Sequence, residues 1–236
     1  MKEDNLLGVL IEAGIGSRRS LAAAIMQGKV TVNGVIISDL RHPVDISGDI
    51  IALDGEVVKT GKKQLVYLML NKPEGVLSTV RDERGRKTVT DFIPEKYRHL
   101  RLYPAGRLDK ETTGLILLTN DGTLTDRITH PRYGNEKEYY IQIEGLLKED
   151  DIKRLEQGIE IEGNKTSPAR VKKLDGSPPY NYSITIQEGR KRQVRRMFLA
   201  IGYRTLALKR VRIGNLTLGD LKEGEVRELR KENVLR

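Results

Sequence analysis

The 236-residue sequence contains no cysteine and no tryptophan, and it has only three histidines. The lack of cysteine excludes disulfides, a thiolate nucleophile, iron–sulfur clusters and cysteine-ligated zinc. The histidines, His42, His99 and His130, are far apart in sequence. We therefore expect no metal site.

Long hydrophobic runs are also missing, and none approaches the roughly 20 residues that a membrane-spanning helix needs. The first residues, Met1-Lys2-Glu3-Asp4, include two acids and are not followed by the apolar region of a signal peptide. We expect a cytoplasmic protein without membrane association. Its length suits two domains, one of them small.

Positive charge is unevenly distributed along the chain, whose formal net charge is +9. Residues 1–60 hold six Lys or Arg and eight Asp or Glu, a net charge of −2, so the remainder has a net charge of +11. A basic excess in one part of a chain is typical of proteins that bind a polyanion there. A soluble protein with a high isoelectric point would show the same total.

Residues 1–60 have the signals of a small α+β module. Apolar residues at helical spacing predict a helix that ends at Gly14, and Ser17 is placed to cap a second helix over 18–27. Short β-type runs turn at Asn33-Gly34, and a further strand over 49–53 ends at Asp54-Gly55. The polar segment 61–65 is predicted to link this module to a second domain over 66–236.

Strand patterns dominate the second domain. Apolar or alternating runs predict strands over 66–70, 114–119, 139–143 and 182–186, while helices fit 123–129, 148–157 and 191–201. These elements predict a mixed, mainly antiparallel β-sheet with packed helices, so the chain as a whole is expected to be α+β.

The helix predicted over 191–201 places one arginine on its apolar face. At 100° per residue, Val194, Met197 and Phe198 mark an arc that includes Arg195 but not Arg196. A guanidinium facing a core needs an anionic partner, because leaving it unpaired costs on the order of 3–5 kcal/mol. Periodicity equally allows an arginine whose charged end reaches solvent from the edge of the arc.

The segment around this helix is strongly basic. Nine Lys or Arg and a single acid, Glu188, occur between Ser183 and Arg212. Solvated charged faces usually mix both signs, whereas clusters of one sign are typical of phosphate contacts. We interpret this segment as part of a polyanion-binding surface.

A polar loop from Gly106 to Gly114 contains a candidate partner for Arg195. Asp109 lies in this loop just before a predicted strand, and loops held by a rigid sheet commonly position catalytic groups. The local pattern by itself fits a turn-forming or capping aspartate better. Asp121-Gly122, after the strand, is predicted to be a simple turn.

Several motifs, taken together and in order, closely resemble those of RsuA/RluB-type pseudouridine synthases over residues 66–229. In chain order they are Lys72-Pro73-x-Gly75, Gly106-Arg107-Leu108-Asp109 with the strand up to Asp121-Gly122, Lys137-Glu138-Tyr139, Glu188-Gly189-Arg190-Lys191-Arg192-Gln193-Val194-Arg195-Arg196-Met197, Leu208-x-Arg210-x-x-x-Gly214, and Leu221-x-x-Gly224-x-x-Arg227-x-Leu229.

The first module resembles an S4 RNA-binding domain. The similarity lies in the run from Glu12 to Arg19, the run from Gly28 to Gly34, and Gly48-Asp49. The module departs from that family in its first helix, which starts at Asp4-Asn5 instead of at basic residues, and in its net negative charge. Its expected phosphate contacts are Arg18, Arg19 and Lys29.

The resemblance implies isomerisation of uridine to pseudouridine: the C1′–N1 bond breaks, the uracil turns, and C5 bonds to C1′. No group is gained or lost, so the resemblance implies no cofactor. An ionised carboxylate stabilises the electron-poor ribose carbon or bonds to it, and the family match gives this role to Asp109. Attack on the sugar and removal of the C2′ proton both remain open to Asp109.

The resemblance also implies roles for residues near Asp109. Arg195 is expected to pair with Asp109 and favour its charged form, Tyr139 to stack on the uracil, and Leu208 to form an apolar wall. Tyr140 should point to the opposite face of its strand from Tyr139. Further contacts to substrate or RNA are expected from Arg107, beside the site vacated by the flipped base, and from Lys72, Arg190, Arg192, Arg196 and Arg210.

The expected partner is ribosomal RNA, free or in a ribosome assembly intermediate, bound by a monomeric enzyme. The run from Ser167 to Val171 and the basic segment resemble large-subunit (23S) members of the family, whereas the run from Arg127 to Arg132 resembles small-subunit (16S) members. We favour 23S rRNA. A non-catalytic RNA-binding or ribosome-assembly factor is the alternative from another class, and the joint presence of Asp109, Tyr139 and Arg195 argues against it.

Overall fold

The computed structural model describes residues 4–61, 64–176 and 178–234. It divides into two compact units, one of residues 1–65 with 98–101 and the other of residues 66–97 with 102–236. Residues 1–3, on which part of the expected lack of a signal peptide rests, and residues 62 and 63 of the predicted linker lie outside the described part.

The first unit consists of two short helices and two small sheets. Its elements are β1 (Asp4–Asn5), α1 (Leu6–Glu12), α2 (Arg18–Met26), β2 (Val30–Val32), β3 (Val35–Ile36), β4 (Pro43–Val44), β5 (Ile51–Leu53) and β6 (Glu56–Val57). Strands β3-β2-β5-β6 form one sheet in that order, and β1 pairs with β4. Leu6, Leu10, Ile25, Val30 and Ile51 form the centre of its core.

Local sequence signals account for the elements of this unit. Ser17 caps α2 by accepting a hydrogen bond from the backbone N–H of Ser20 at 3.0 Å. Asn33 and Gly34 have φ values of +51° and +81°, as a two-residue hairpin turn with the twist of its strands requires. The predictions of the second helix and of this hairpin are confirmed.

The second unit contains one large sheet with helices packed on it. Its elements are β7 (Tyr67–Lys72), β8 (Tyr103–Ala105), β9 (Thr113–Thr119), α3 (Gly122–Thr129), β10 (Lys137–Ile143), α4 (Glu149–Glu156), β11 (Glu160–Ile161), β12 (Asn164–Lys165), β13 (Arg170–Lys173), β14 (Tyr182–Ile186), α5 (Gln193–Ala200), β15 (Thr205–Ile213), β16 (Leu216–Thr217), β17 (Val226–Glu228) and α6 (Lys231–Val234). In the described ranges, none of the helices combines the length and hydrophobicity needed to cross a membrane.

The large sheet is mixed and mainly antiparallel. Its strand order is β13-β14-β10-β15-β9-β7-β17, with β16 paired to β15 and β8 paired to β9. Strands β9 and β15 run parallel, and the other pairs found among the described residues are antiparallel. The expected α+β class, with an S4-like module followed by such a sheet, is confirmed.

The parallel pair depends on a glycine at the start of β9. Gly114 has a φ of +101°, and a Cβ at this position would lie 2.2 Å from the backbone oxygen of Arg210. Only a residue without a side chain allows β15 to approach this closely. The approach places β15 next to the end of the Asp109 loop.

The interpretation of Asp121-Gly122 as a simple turn is wrong. Asp121 is the N-cap of α3, and its carboxylate accepts hydrogen bonds from the backbone N–H of Leu124 and from the hydroxyl of Tyr67, both at 2.9 Å. Because the side chain is buried, these bonds satisfy a charge that would otherwise be costly. An Asp-Gly pair favours a tight turn, but here it begins a helix.

Candidate active site

A cavity of about 720 Å³ in the second unit brings together most of the predicted site. Its wall consists of the Asp109 loop, one face of β10 and β15, and the segment leading into α5. The predicted site residues that line it are Arg107, Asp109, Tyr139, Arg190, Arg192, Leu208 and Arg210. Lys72, Arg195 and Arg196 are not among its lining residues.

Asp109 begins a tight turn at the edge of the cavity. Its backbone oxygen accepts a hydrogen bond from the N–H of Thr112 at 3.0 Å. The Ser78 hydroxyl accepts a hydrogen bond from the Leu108 N–H at 3.1 Å and donates to the Leu108 carbonyl at 2.9 Å. The carboxylate itself is half-buried, and no side chain or N–H in the described part of the chain donates to it. The backbone is therefore held while the carboxylate stays available.

Lys72 stabilises this turn through hydrogen bonds to backbone carbonyls. Its side chain is fully buried, and its ammonium donates to the carbonyls of Pro73 and Val76 at 2.9 Å and of Lys110 at 3.3 Å. Burial lowers the pKa of Lys72 to about 8. The expected contact of Lys72 with RNA is not supported, because the side chain is enclosed and its three acceptors are backbone oxygens of the protein.

Arg195 reaches the same turn from α5, but not in the way we expected. Its guanidinium donates to the carbonyls of Thr205 at 3.1 Å and Glu111 at 3.0 Å. No hydrogen bond or ion pair joins it to Asp109 in the described ranges, so the predicted direct pairing is absent. Burial and the charge of Arg192 lower the pKa of Arg195, while the carboxylates of Glu111 and Asp109 oppose that shift.

Tyr139 and Leu208 form an apolar part of the cavity wall. Tyr139 lies on β10 and Leu208 on β15, and both are buried. Tyr140 points away, with its ring 6.1 Å from that of Tyr180, which confirms the predicted alternation of the two tyrosines. A planar ring beside an apolar wall is suited to hold a nucleobase.

The arginines of the α5 segment differ in what they contact. Arg192, at the cavity, forms an ion pair with Glu111 at 2.8 Å, and this bond lowers the pKa of the Glu111 carboxyl. Arg190 donates to Glu188 at 3.1 Å and to two backbone carbonyls. Arg196 pairs with Glu162 away from the cavity, so its expected contact with substrate is not supported.

Sequence reasoning missed Lys137 as a site residue. Lys137 lines the cavity two residues before Tyr139 on the same strand. Because side chains two apart in a strand share a face, the spacing from Tyr139 was a signal that would have found it. No group of three or more histidine, aspartate or glutamate side chains among the described residues is arranged to hold a metal ion.

The three basic residues of the first unit that are predicted to contact phosphates lie near opposite ends of one helix. Arg18 and Arg19 lie in the first turn of α2, and Lys29 follows that helix. All three side chains are exposed.

Comparisons with known proteins identify the family of this chain. The family model for RNA pseudouridylate synthases matches residues 66–200, and that for the S4 domain matches residues 8–51. The chain belongs to the RNA pseudouridylate synthase family and is therefore an isomerase. The resemblance to RsuA/RluB-type enzymes noted from the motifs is confirmed.

Similar proteins cover nearly the whole chain. Ribosomal large subunit pseudouridine synthase B of Bacillus subtilis is 42% identical, over 99% of this chain and 95% of that protein. An RNA pseudouridine synthase of Aquifex aeolicus is 40% identical, over 97% of this chain and 91% of that protein. A crystal structure of a pseudouridylate synthase, 34% identical, superposes with a TM-score of 0.69 over 98% of this chain and 97% of that one.

Proposed function

We propose that this enzyme isomerises a uridine of large-subunit ribosomal RNA, with Asp109 acting at the ribose. One observation supports the catalytic assignment above others. Asp109, on a fixed turn and with a carboxylate that receives no hydrogen bond from the described residues, lines the same cavity as the buried ring of Tyr139.

The geometry suggests how these side chains divide the reaction. A uridine entering the cavity with its base against Tyr139 presents its ribose to the Asp109 loop. The carboxylate then stabilises the electron-poor C1′ as the C1′–N1 bond breaks, by attack or by removing the C2′ proton. Leu208 helps to exclude water while the uracil turns.

RNA binding is assigned to the mouth of the cavity and to the S4 domain. Arg107, Arg190 and Lys191 line the cavity with exposed side chains, where phosphates on either side of a flipped nucleotide would lie. Arg18, Arg19 and Lys29 of the first unit are proposed to bind further phosphates.

The choice of large-subunit RNA rests on similarity. The Bacillus subtilis relative named for the large subunit covers almost the entire chain, including both domains. We further propose that the enzyme acts as a monomer on free or assembling rRNA, since a single chain supplies the Asp109, Tyr139 and Leu208 walls of the cavity. Small-subunit rRNA is the alternative substrate.

Pseudouridine mapping tests both parts of this proposal. In a strain lacking the gene, we expect one large-subunit pseudouridine to disappear, and only the wild-type protein or an Asp150→Asn control to restore it. Asp150 is an exposed carboxylate on α4 whose ion pair among the described residues is with Lys153, at 3.4 Å. Asp109→Asn should bind rRNA without restoring the site.

Each of the other possible outcomes contradicts a specific part of the proposed function. Loss of a small-subunit site instead would overturn the substrate assignment and leave the enzyme assignment intact. Full restoration by Asp109→Asn would remove Asp109 from the mechanism. If no site changes in the deletion strain, ribosomal RNA is not the substrate.

A further inference from the structure

Two cations share the cavity face of the sheet with Tyr139. Lys137 is two residues before Tyr139 on β10, and Arg210 is directly opposite Tyr139 on β15. A β-bulge at Val211 follows, so that Ile213 and not Arg212 returns to the cavity face. The bulge thus separates Arg210, which lines the cavity, from Arg212, which pairs with Glu138 and Glu136 elsewhere.

Arg210 has an unused donor inside the protein. Its side chain is 3% exposed, and its Nε donates to the Leu115 carbonyl at 2.8 Å. Its Nη2 is buried and has no hydrogen-bond partner among the described residues. An unpaired guanidinium nitrogen is costly to bury, and a small shift of this enclosed side chain on substrate binding would bring the nitrogen to an acceptor and remove that cost.

Lys137 places a second positive charge nearby. Its ammonium donates to the Asn135 carbonyl at 3.3 Å, and no carboxylate in the described ranges bonds to Lys137 or to Arg210. Burial, with a smaller effect from the charge of Arg210, lowers the pKa of Lys137. The two cations repel each other in the free enzyme, and an anion between them would relieve this repulsion.

Cleavage of the C1′–N1 bond produces a negative charge on the uracil, inside the cavity. The phosphates of the RNA meet exposed cations at the cavity mouth, whereas a base stacked on Tyr139 reaches the sheet face where Lys137 and Arg210 lie. When the C1′–N1 bond breaks, its electron pair leaves with the uracil, and the negative charge spreads over N1 and the carbonyl oxygens O2 and O4. The uracil therefore becomes a strong hydrogen-bond acceptor only after cleavage begins.

We propose that Lys137 and Arg210 stabilise the detached uracil anion by donating hydrogen bonds to its carbonyl oxygens. This inference rests on the proposed function and adds a second charged centre to it, on the base instead of the sugar. The atoms balance: C5 bonds to C1′ and loses its proton, N1 gains one, and no other reactant is consumed. Donors placed where charge develops in a transition state act mainly on the rate.

Single-turnover kinetics of Lys137→Gln test the inference. The variant should bind a uridine-containing rRNA fragment as the wild type does, but convert it on the order of 100-fold more slowly, as when one donor to a developing anion is removed. Lys137→Arg, which keeps the charge and the donors, should recover most of the rate. Lys172→Gln, which removes an exposed charge on β13, is the matched control and should change neither quantity.

RNA containing 5-fluorouridine distinguishes stabilisation of the base from a structural effect. Fluorine withdraws electrons and makes the uracil a better leaving group, so consumption of this nucleotide should depend less on Lys137. We expect a clearly smaller rate loss for Lys137→Gln on this RNA than on uridine RNA. Because Arg210 also bonds the sheet, it is tested as Arg210→Lys, for which we expect the same pattern.

Three results would overturn the inference. Weaker RNA binding at an unchanged rate would assign Lys137 to a phosphate. Equal rate losses on both RNAs would indicate a structural role, and an unchanged rate and affinity would show no role at all. A different variant tests the proposed function itself. If that function is wrong, Asp109→Asn will convert uridine RNA at the wild-type rate, whatever the results with Lys137.

Discussion

Replacing Gly114 by alanine tests how the sheet positions the active site. Gly114 joins the Asp109 loop to β9 and has a φ of +101°, a conformation that alanine adopts at a cost of roughly 1–2 kcal/mol. The added Cβ would also lie 2.2 Å from the Arg210 oxygen, 2.7 Å from its nitrogen and 2.9 Å from its carbonyl carbon. These are backbone atoms, so no side chain can rotate to relieve the overlap.

The expected loss of stability follows from these two costs. Forcing a methyl group into packed structure costs typically 1–3 kcal/mol, so Gly114→Ala should lower the free energy of unfolding by about 2–5 kcal/mol in total. A domain is commonly stable by only about 5–15 kcal/mol, so this loss is large. Because β15 must shift away from β9, Leu208 and Arg210 should move with it, and the rate of pseudouridine formation should fall even where the protein remains folded.

Urea unfolding followed by circular dichroism measures the effect, with Gly202→Ala as the control. Gly202 has a φ of +89°, but nothing lies within 4 Å of a Cβ built there. Gly202→Ala should therefore lower the free energy of unfolding only by the conformational cost, about 1–2 kcal/mol, and should keep the wild-type rate of pseudouridine formation. Equal destabilisation by the two substitutions would refute the close-approach argument.

Two buried groups predict opposite dependences of stability on pH. Lys72→Met leaves three carbonyls without their donor and should lower the free energy of unfolding by about 2–3 kcal/mol at pH 7. The pKa of Lys72 is about 8 in the folded protein and 10.5 in the unfolded chain. Because the unfolded chain holds the proton over that range, the wild type should gain stability relative to the variant as the pH rises from 8 to 10.5. If the difference in urea-unfolding free energy between the wild type and Lys72→Met becomes smaller over this range, the prediction is wrong. Tyr67→Phe should cost about 1–2 kcal/mol at pH 7 through the lost bond to Asp121. Burial and the hydrogen bond to Asp121 raise the pKa of Tyr67, so above pH 10 the tyrosine ionises first in the unfolded chain. The excess stability of the wild type over Tyr67→Phe should therefore decline above pH 10. An excess that stays constant there would contradict the prediction.

The elements that the sequence predicts well are those with local causes. The Ser17 cap and the Asn33-Gly34 turn depend on neighbouring residues only, so each could be recognised without knowledge of the fold. Asp121 shows the limit of such reasoning, because an Asp-Gly pair is compatible both with a turn and with the first residues of a helix. Its role was decided by Tyr67, which is distant in sequence and donates to the same carboxylate.

Strand β15 was missed because its charges resemble those of a surface segment. Lys209, Arg210 and Arg212 alternate with apolar residues over 205–213, and we interpreted them as phosphate contacts. Arg210 is instead buried at the edge of the cavity, where its Nε–H donates a hydrogen bond to the Leu115 carbonyl. A charged residue can lie in the centre of a sheet when the neighbouring strand supplies an acceptor, and sequence alone does not show that acceptor.

The same limit explains Arg195, for which the helical arc indicated burial but not the partner. Arg195 holds the Glu111 carbonyl from α5, and Lys72 holds the Lys110 carbonyl from β7, so both cations act on the backbone of the turn that contains Asp109. A direct ion pair with Arg195 would occupy the carboxylate oxygens that, in the proposed mechanism, reach the ribose. Fixing the turn through its carbonyls instead leaves those oxygens without a hydrogen bond from the described residues, which is the arrangement that a carboxylate acting on C1′ or on the C2′ proton requires.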